Sequence, residues 1–243
     1  MIGRKWTGLA ILLSVLISIC SLGASEGNEG AVDSVGILAG KVTLVGEPLP
    51  PRKIVINKDV EHCGEAPREV IDLQLGEDQG VVGAVVEIQG IDPPTEGEWE
   101  WTVPKEGYVL RQKGCHFEPA LIVMPSGETL TVYNDDKVTH NVNTGEWNSM
   151  QAQGAEPIEQ MVSGRSPIRV TCNIHSWMES WIYPARSPFF AVTDEEGNFE
   201  ITDVPPGKYR AVVWHPALGR ERLRVEIKPG ETTTEEVAIE SPN

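Results

Sequence analysis

Three potential metal ligands of different types lie close together in the second half of the chain. Cys172, His175 and Met178 have Cys-x2-His-x2-Met spacing, and His140 ends an earlier Asn-Asp-Asp-Lys-Val-Thr-His segment. One thiolate, two imidazoles and a weakly bound thioether are the donor set of mononuclear blue-copper sites that transfer electrons. A short loop between two strands can wrap three donors around one ion while a separate strand provides the fourth. The spacing predicts one copper ion held by these four side chains.

The same residues have simpler interpretations. Positions 172, 175 and 178 would share one face of a helix and could be core, although nearby Pro184 and the lack of a capping pattern oppose a helix. Cys172 alone could be a buried free thiol, and His140 alone could be a core or surface histidine. Their joint occurrence around an alternating strand favours the metal site.

Short strands are expected around these ligands. The 24 glycines and 18 prolines break the chain often, and no window has a long helical period. The sequence predicts an all-β protein, with an irregular loop over 142–166. Strands are expected over 36–46, 52–57, 80–90, 108–112, 120–124, 128–134, 167–171, 180–184, 188–193, 198–202, 208–214, 222–227 and 232–240.

The ligand-bearing part of the chain resembles the cupredoxins, the family of plastocyanin, azurin and amicyanin. The resemblance rests on FEPALIVMPSGETLTVYNDDKVTHNV (117–142) and IRVTCNIHSWMESWIYP (168–184). It implies a Greek-key β-sandwich with His140, Cys172, His175 and Met178 as copper ligands. It also implies that Asn141 secures the cysteine loop by hydrogen bonding and that His175 is exposed where a redox partner docks. The Ile-Arg-Val-Thr before the cysteine departs from the aromatic residues usual in that family.

A second resemblance covers the C-terminal part of the chain. Residues 191–239 are similar to the carboxypeptidase-regulatory-like, transthyretin-like β-sandwich and to the accessory module of rhamnogalacturonan lyases. Residues 40–56 and 83–88 are similar to the first strands of the same module. The expected organisation is a regulatory-like sandwich in two parts, 36–107 and 187–243, with a cupredoxin-like domain at 108–186 inserted between them. Two sandwiches in tandem remain an alternative.

The N-terminus has the pattern of a secretory signal, with basic residues, an apolar run and small residues. We expect a signal peptide over 1–24 and a linker over 25–35, so that the protein is exported to the periplasm or outside the cell. An uncleaved segment would instead anchor it to a membrane. Cys63 and Cys115 each adjoin a histidine and could form a second metal site, but a disulfide is favoured in an oxidising compartment.

The expected function is one-electron transfer by an exported copper protein that is not an enzyme. A multicopper oxidase needs more than the five histidines present, and the length leaves no room for a lyase catalytic domain. The net charge of −16 argues against nucleic acid and anionic membranes as partners. It favours a cationic redox partner such as a basic cytochrome c.

Two other functions are compatible with the sequence. The chain could be a carbohydrate- or wall-associated binding module without functional copper, with Trp99, Trp101 and Trp147 as a sugar-stacking platform. Each of these tryptophans could equally be core. Copper delivery in place of electron transfer is a variant of the first hypothesis.

Overall fold

The structure is a computed structural model that describes residues 34–64 and 68–242. The predicted signal peptide over 1–24 and most of the predicted linker over 25–35 lie outside the described residues. Within the described part of the chain, no helix is long and apolar enough to cross a membrane.

Nearly all regular structure is β-strand, as expected for an all-β protein. The strands form two β-sandwiches, each with its own apolar core. We call them the central sandwich, built from strands between 108 and 185, and the flanking sandwich, built from strands on both sides of that range. The fold-class prediction is confirmed.

The central sandwich packs a five-stranded sheet against a four-stranded sheet. The strands are β5 (Tyr108–Lys113), β6 (His116–Glu118), β7 (Leu121–Pro125), β8 (Thr129–Asn134), β9 (His140–Asn143), β10 (Asn148–Gln151), β11 (Ile158–Met161), β12 (Ile168–Thr171) and β13 (Glu179–Ala185). The strand orders of the two sheets are β10-β9-β12-β13-β7 and β11-β8-β5-β6. Alternate residues such as Leu110, Leu130, Val170 and Ile182 are fully buried between the sheets.

The flanking sandwich joins both ends of the described chain. The strands are β1 (Gly36–Val45), β4 (Val85–Gln89), β14 (Phe190–Val192), β15 (Asn198–Val204), β16 (Gly207–His215), β17 (Gly219–Ile227) and β18 (Thr232–Glu240). The sheets have the orders β15-β1-β18 and β14-β4-β16-β17, and β1 pairs in parallel with β18. Gly40 lies so close to β18 that an added Cβ would clash with the carbonyl oxygen of Glu235.

Residues 52–64 and 68–70 differ from the sequence-based organisation. They were expected in the first part of the regulatory-like sandwich, but Ile54, Ile56 and Cys63 are buried in the core of the central sandwich. The segment contains β2 (Arg52–Ile54), the one-turn helix α1 (Val60–Cys63) and β3 (Arg68–Val70), with β2 and β3 paired. A disulfide between Cys63 and Cys115 links this segment to the central sandwich, with a Cα–Cα distance of 5.4 Å. A 3-10 turn (Glu77–Gln79) follows it.

Residues 142–166 also differ from the prediction of one irregular loop. They contain β10 and β11, which extend the two sheets of the central sandwich. Both strands have only four residues and are rich in polar side chains, with the sequences NSMQ and IEQM. They carry little of the apolar alternation from which a strand is recognised in a sequence.

A small apolar cluster joins the two sandwiches. Val85 and Trp214 from the flanking sandwich pack against Tyr183 and Ala185 from β13. The rings of Tyr183 and Trp214 lie 5.6 Å apart. The outer face of the β4–β16 pair therefore becomes buried where it meets β13.

Candidate metal centre

The central sandwich brings the predicted ligands together through its strand order. His140 begins β9, and the loop 172–178 connects β12 to β13. Strands β9 and β12 are neighbours, with Asn143 opposite Thr171. The first histidine and the cysteine loop consequently lie at the same end of one sheet, although they are distant in sequence.

Three donor atoms converge inside the protein at this end of the sheet. The Nδ1 atoms of His140 and His175 are 2.9 Å apart, and Cys172 Sγ lies 3.8 Å from His175 Nδ1. His140 and His175 are fully buried, and Cys172 is the free cysteine of the described residues. Their ligand atoms all lie within 4.8 Å of one another, which is close enough to bind one ion.

The outer nitrogen of His140 contacts a carboxylate. His140 Nε2 lies 2.8 Å from Asp136 Oδ2, and Asp136 also accepts backbone N–H bonds from Gly114 and Cys115. Burial opposes ionisation of Asp136, but the N–H of Cys115 and the nearby rings of His62 and His140 lower its pKa to about 2. Burial lowers the pKa of His140 itself. This pair therefore combines a carboxylate with a neutral imidazole near neutral pH.

The outer nitrogen of His175 contacts a second carboxylate, from a distant part of the chain. His175 Nε2 lies 2.8 Å from Asp59 Oδ2, just before α1. The Trp177 ring packs 5.1 Å from the His175 ring and donates a hydrogen bond to the carbonyl of Cys115. The expectation of an exposed His175 is wrong, because Asp59 and Trp177 cover the ring and it is 0% exposed.

The sulfur of Cys172 is held by backbone donors. The N–H groups of Asn141 and His175 both point to Sγ at 3.4 Å. The side chain of Asn141 accepts the N–H of Asn173 and donates to Asn148. Asn141 thus ties the cysteine loop to β9 and β10 by hydrogen bonds.

Met178 is buried in the same core as Cys172. Its side chain is 1% exposed and belongs to the buried cluster that contains Cys172. Its N–H donates to the carbonyl of His175 at 2.9 Å, which closes the loop into a tight turn. A thioether is the type of weak fourth donor that such a copper site uses, so Met178 remains the predicted fourth ligand.

The donor chemistry of these residues fits a metal cation. A carboxylate only accepts hydrogen bonds, so each Nε2 that contacts an aspartate must carry the ring proton. When both rings are neutral, their two Nδ1 lone pairs face each other across 2.9 Å in a buried site. A cation between them would remove this repulsion, and a thiolate beside two imidazoles favours copper or zinc over calcium or magnesium.

Sequence reasoning did not predict the two aspartates that contact His140 and His175. Asp136 precedes His140 by four residues in the Asn-Asp-Asp turn, which is a local signal that could have identified it. Asp59 has no such signal, because 116 positions separate it from His175. Carboxylates that bind the outer nitrogen of a ligating histidine orient the ring and raise its basicity.

The other predicted candidates lie outside the donor cluster. Cys63 and Cys115 are bonded to each other, so neither sulfur can bind a second metal. The three tryptophans of the expected sugar platform do not pack together: Trp99 contacts Phe189, Trp101 contacts Phe190 and Trp147 packs on the central core. This arrangement agrees with packing roles for all three.

Comparisons with known proteins relate two regions of the chain to described families. The family model fn3_3, described as polysaccharide lyase family 4, domain II, matches residues 172–235, about a quarter of the chain. The match begins at Cys172 and continues through β16 and β17 of the flanking sandwich. No curated protein matches the chain.

Three of the similar solved structures match parts of the chain at low identity. A purple cupredoxin from Nitrosopumilus maritimus is 18% identical, with a TM-score of 0.30, over 32% of this chain and 99% of that one. Amicyanin from Paracoccus versutus is 15% identical, with a TM-score of 0.30, over 41% and 96%. The copper-containing nitrite reductase from Thermus scotoductus is 17% identical, with a TM-score of 0.27, over 37% and 24%.

Proposed function

We propose that this protein is an exported mononuclear copper protein that carries single electrons. The observation that carries the proposal is the buried convergence of His140 Nδ1, His175 Nδ1 and Cys172 Sγ. Met178 would be the weak fourth ligand. When bound, copper would supply a one-electron redox couple.

The surroundings of these residues favour redox cycling. The outer nitrogen of each histidine contacts an aspartate, and two backbone N–H groups point to the sulfur. Donors held in this way change position little between oxidation states. A small rearrangement lowers the barrier to electron transfer, because less of the surrounding protein must move.

The covered His175 also bears on how a partner would approach. A redox protein would have to contact the cover formed by Asp59 and Trp177, because the ring itself has no exposed surface. The net charge of −16 favours a cationic partner such as a basic cytochrome c, with association that weakens as salt increases. Full burial of both rings argues against the rapid metal exchange that copper delivery needs.

The test is a copper titration of the purified chain. We expect one copper(II) ion per chain after excess metal is removed, and an intense thiolate-to-copper absorption band that disappears on reduction. Ser176→Ala, an exposed position in the same loop, should retain the band. A colourless protein without stoichiometric copper would overturn the proposal.

A second candidate function is carbohydrate binding by the flanking sandwich. The match of residues 172–235 to a polysaccharide lyase domain favours it. A glycan array probed with the purified chain tests this candidate, and saturable binding to a defined polysaccharide would support it. Absence of binding across the array would leave the copper proposal as the sole function.

A further inference from the structure

Six arginines gather on one side of an acidic protein. They line a cleft of about 210 Å³ and an adjoining groove of about 640 Å³ at the junction of the two sandwiches. The chain has only 20 lysines and arginines against 36 acidic residues, so this concentration of positive charge stands out from the rest of the molecule. The residues are Arg165, Arg186, Arg210, Arg220, Arg222 and Arg224.

The strand geometry explains how these side chains come to share one face. Successive residues of a strand point to opposite faces, so Ala211 and Val213 enter the flanking core while Arg210 points outward. On β17, Arg220, Arg222 and Arg224 are likewise two residues apart. Arg165 lies in the loop before β12 and Arg186 directly follows β13, and both line the cleft.

The register places two of the arginines against each other. Arg210 on β16 pairs directly with Arg224 on β17. Like charges directly opposite in an antiparallel pair are destabilising. A pair of this kind disfavours the folded protein unless an anion lies between the guanidinium groups.

The arginines also lack acidic partners within the described residues. No described carboxylate lies within 4.0 Å of the side-chain nitrogens of Arg165, Arg186, Arg210, Arg220, Arg222 or Arg224. Neutralisation of the buried Glu87 does not account for them. Its oxygens accept from the Tyr183 hydroxyl, the Gln89 amide and the backbone N–H of Arg186, not from a guanidinium.

We propose that this cleft binds a small anion with two or more carboxylate or phosphate groups. The planar guanidinium donates paired hydrogen bonds that match the oxygens of both groups. Tyr183 and Trp214 form an aromatic part of the wall. At about 30 Å³ per water, the smaller cavity alone has the volume of about seven waters, enough for an anion of the size of citrate or pyrophosphate.

The proposal does not depend on the copper site. Arg210, Arg222 and the rest of the cleft lie on the junction face, whereas Cys172 lies in the core of the central sandwich. The measurement can be repeated with Cys172→Ser, in which the proposed copper site is removed. Binding of the anion should be unchanged in that variant, so failure of one proposal is distinguishable from failure of the other.

The experiment is calorimetric titration of the full chain with citrate and, separately, with pyrophosphate at constant ionic strength. We expect saturable binding with one anion per chain, and the tighter probe identifies the preferred group. Arg210→Gln and Arg222→Gln should each weaken binding about tenfold, as expected when a hydrogen bond to a charged group is lost. Arg169→Gln, which removes the same charge from the central sandwich at an ion pair with Glu179, should change affinity less than twofold.

Thermal unfolding provides a second readout. Citrate or pyrophosphate should raise the melting temperature of the unmodified chain but not that of the Arg210→Gln, Arg222→Gln double variant. Without ligand, Arg210→Gln should be at least as stable as the original, because it removes the repulsion with Arg224. Equal loss of affinity in Arg169→Gln, or no saturable binding of either anion, would overturn the proposal.

Discussion

The two sandwiches carry their polar and charged groups on opposite faces of their sheets. Among the described residues, eleven polar side chains are buried, and seven of them, including His140, His175 and Asp136, lie in the central sandwich. The flanking core is formed by apolar side chains such as Leu38 and Val213. Its charged groups are on the outer face instead, where the arginines line the cleft.

The difference determines how strongly a substitution in each region affects its neighbours. A buried polar group is stable only when its hydrogen bonds are satisfied, so the central sandwich needs a network in which each member depends on others. An outer face carries no such requirement, and its side chains can change singly. We therefore expect substitutions inside the central sandwich to have larger and more coupled effects than substitutions in the cleft.

The largest expected effect is at the sulfur of the central site. Cys172→Ser should remove the thiolate-to-copper absorption band completely, because an alcohol cannot replace the thiolate as an electron donor to copper. The visible spectrum after copper addition measures this, with circular dichroism as a check on folding. Retention of the band in the variant would contradict the assignment of Cys172.

The next effect concerns the disulfide that joins the segment carrying Asp59 to the central sandwich. Replacing both Cys63 and Cys115 with serine removes a cross-link between positions 52 residues apart. In the chain-entropy account this lowers the free energy of unfolding by about 4 kcal/mol. Urea denaturation measures the change. A loss below about 1 kcal/mol would show that the packing of Ile54 and Ile56 alone holds this segment.

An acid-sensitive histidine lies in the flanking sandwich. Burial lowers the pKa of His215 to about 4, whereas an unfolded histidine titrates near 6.5. The unfolded chain therefore binds the proton more readily, and the stabilising contribution of the neutral ring is lost as pH falls from about 6.5 towards 4. The shift corresponds to about 3 kcal/mol.

His215→Gln should remove this part of the pH dependence. Denaturation curves between pH 4 and 7 measure it. His116→Gln, at an exposed ring, serves as the matched control and should change the slope less. An unchanged slope in His215→Gln would mean that other groups govern the acid sensitivity.

The smallest expected effect is at Asp59, whose carboxylate contacts His175 in the central site. Asp59→Asn should weaken copper(II) binding by about 10- to 100-fold, because loss of a carboxylate beside a ligating histidine lowers the basicity of the ring. The reduction potential should rise as the oxidised state loses stabilisation. Competition titration and voltammetry measure the two quantities.

Asp72→Asn is the matched control for this variant. Asp72 lies two residues after β3, and its carboxylate pairs with Arg52 at 2.8 Å rather than with a histidine. It should leave copper affinity and potential unchanged. Equal effects in the two variants would indicate a general change of charge, not the contact with His175.

Local patterns in the sequence contain much of the candidate site. Sequence patterns identify His140, Cys172, His175 and Met178, because three of them lie within seven residues and the fourth follows an alternating strand and a turn signal. The turn signals likewise located most of the strands. These features depend on residues that are neighbours in the chain.

The features that sequence reasoning missed depend on long-range contacts. Asp59 reaches His175 only because α1 packs on the central sandwich, and its burial of the ring reversed the expected exposure. The arginines of the cleft come from both sandwiches, so no single window of sequence contains them. The alternation of arginines at 220, 222 and 224 was the one local signal.

The parallel pairing of β1 with β18 has a consequence for the order of folding. The first strand of the described chain can form this pairing only with the last one, and almost all of the described residues lie between them. Closing so long a loop is entropically costly and slow. The strands of the central sandwich are contiguous in sequence and can pair earlier. We expect the flanking sandwich to complete its pairing last, after the central sandwich has folded.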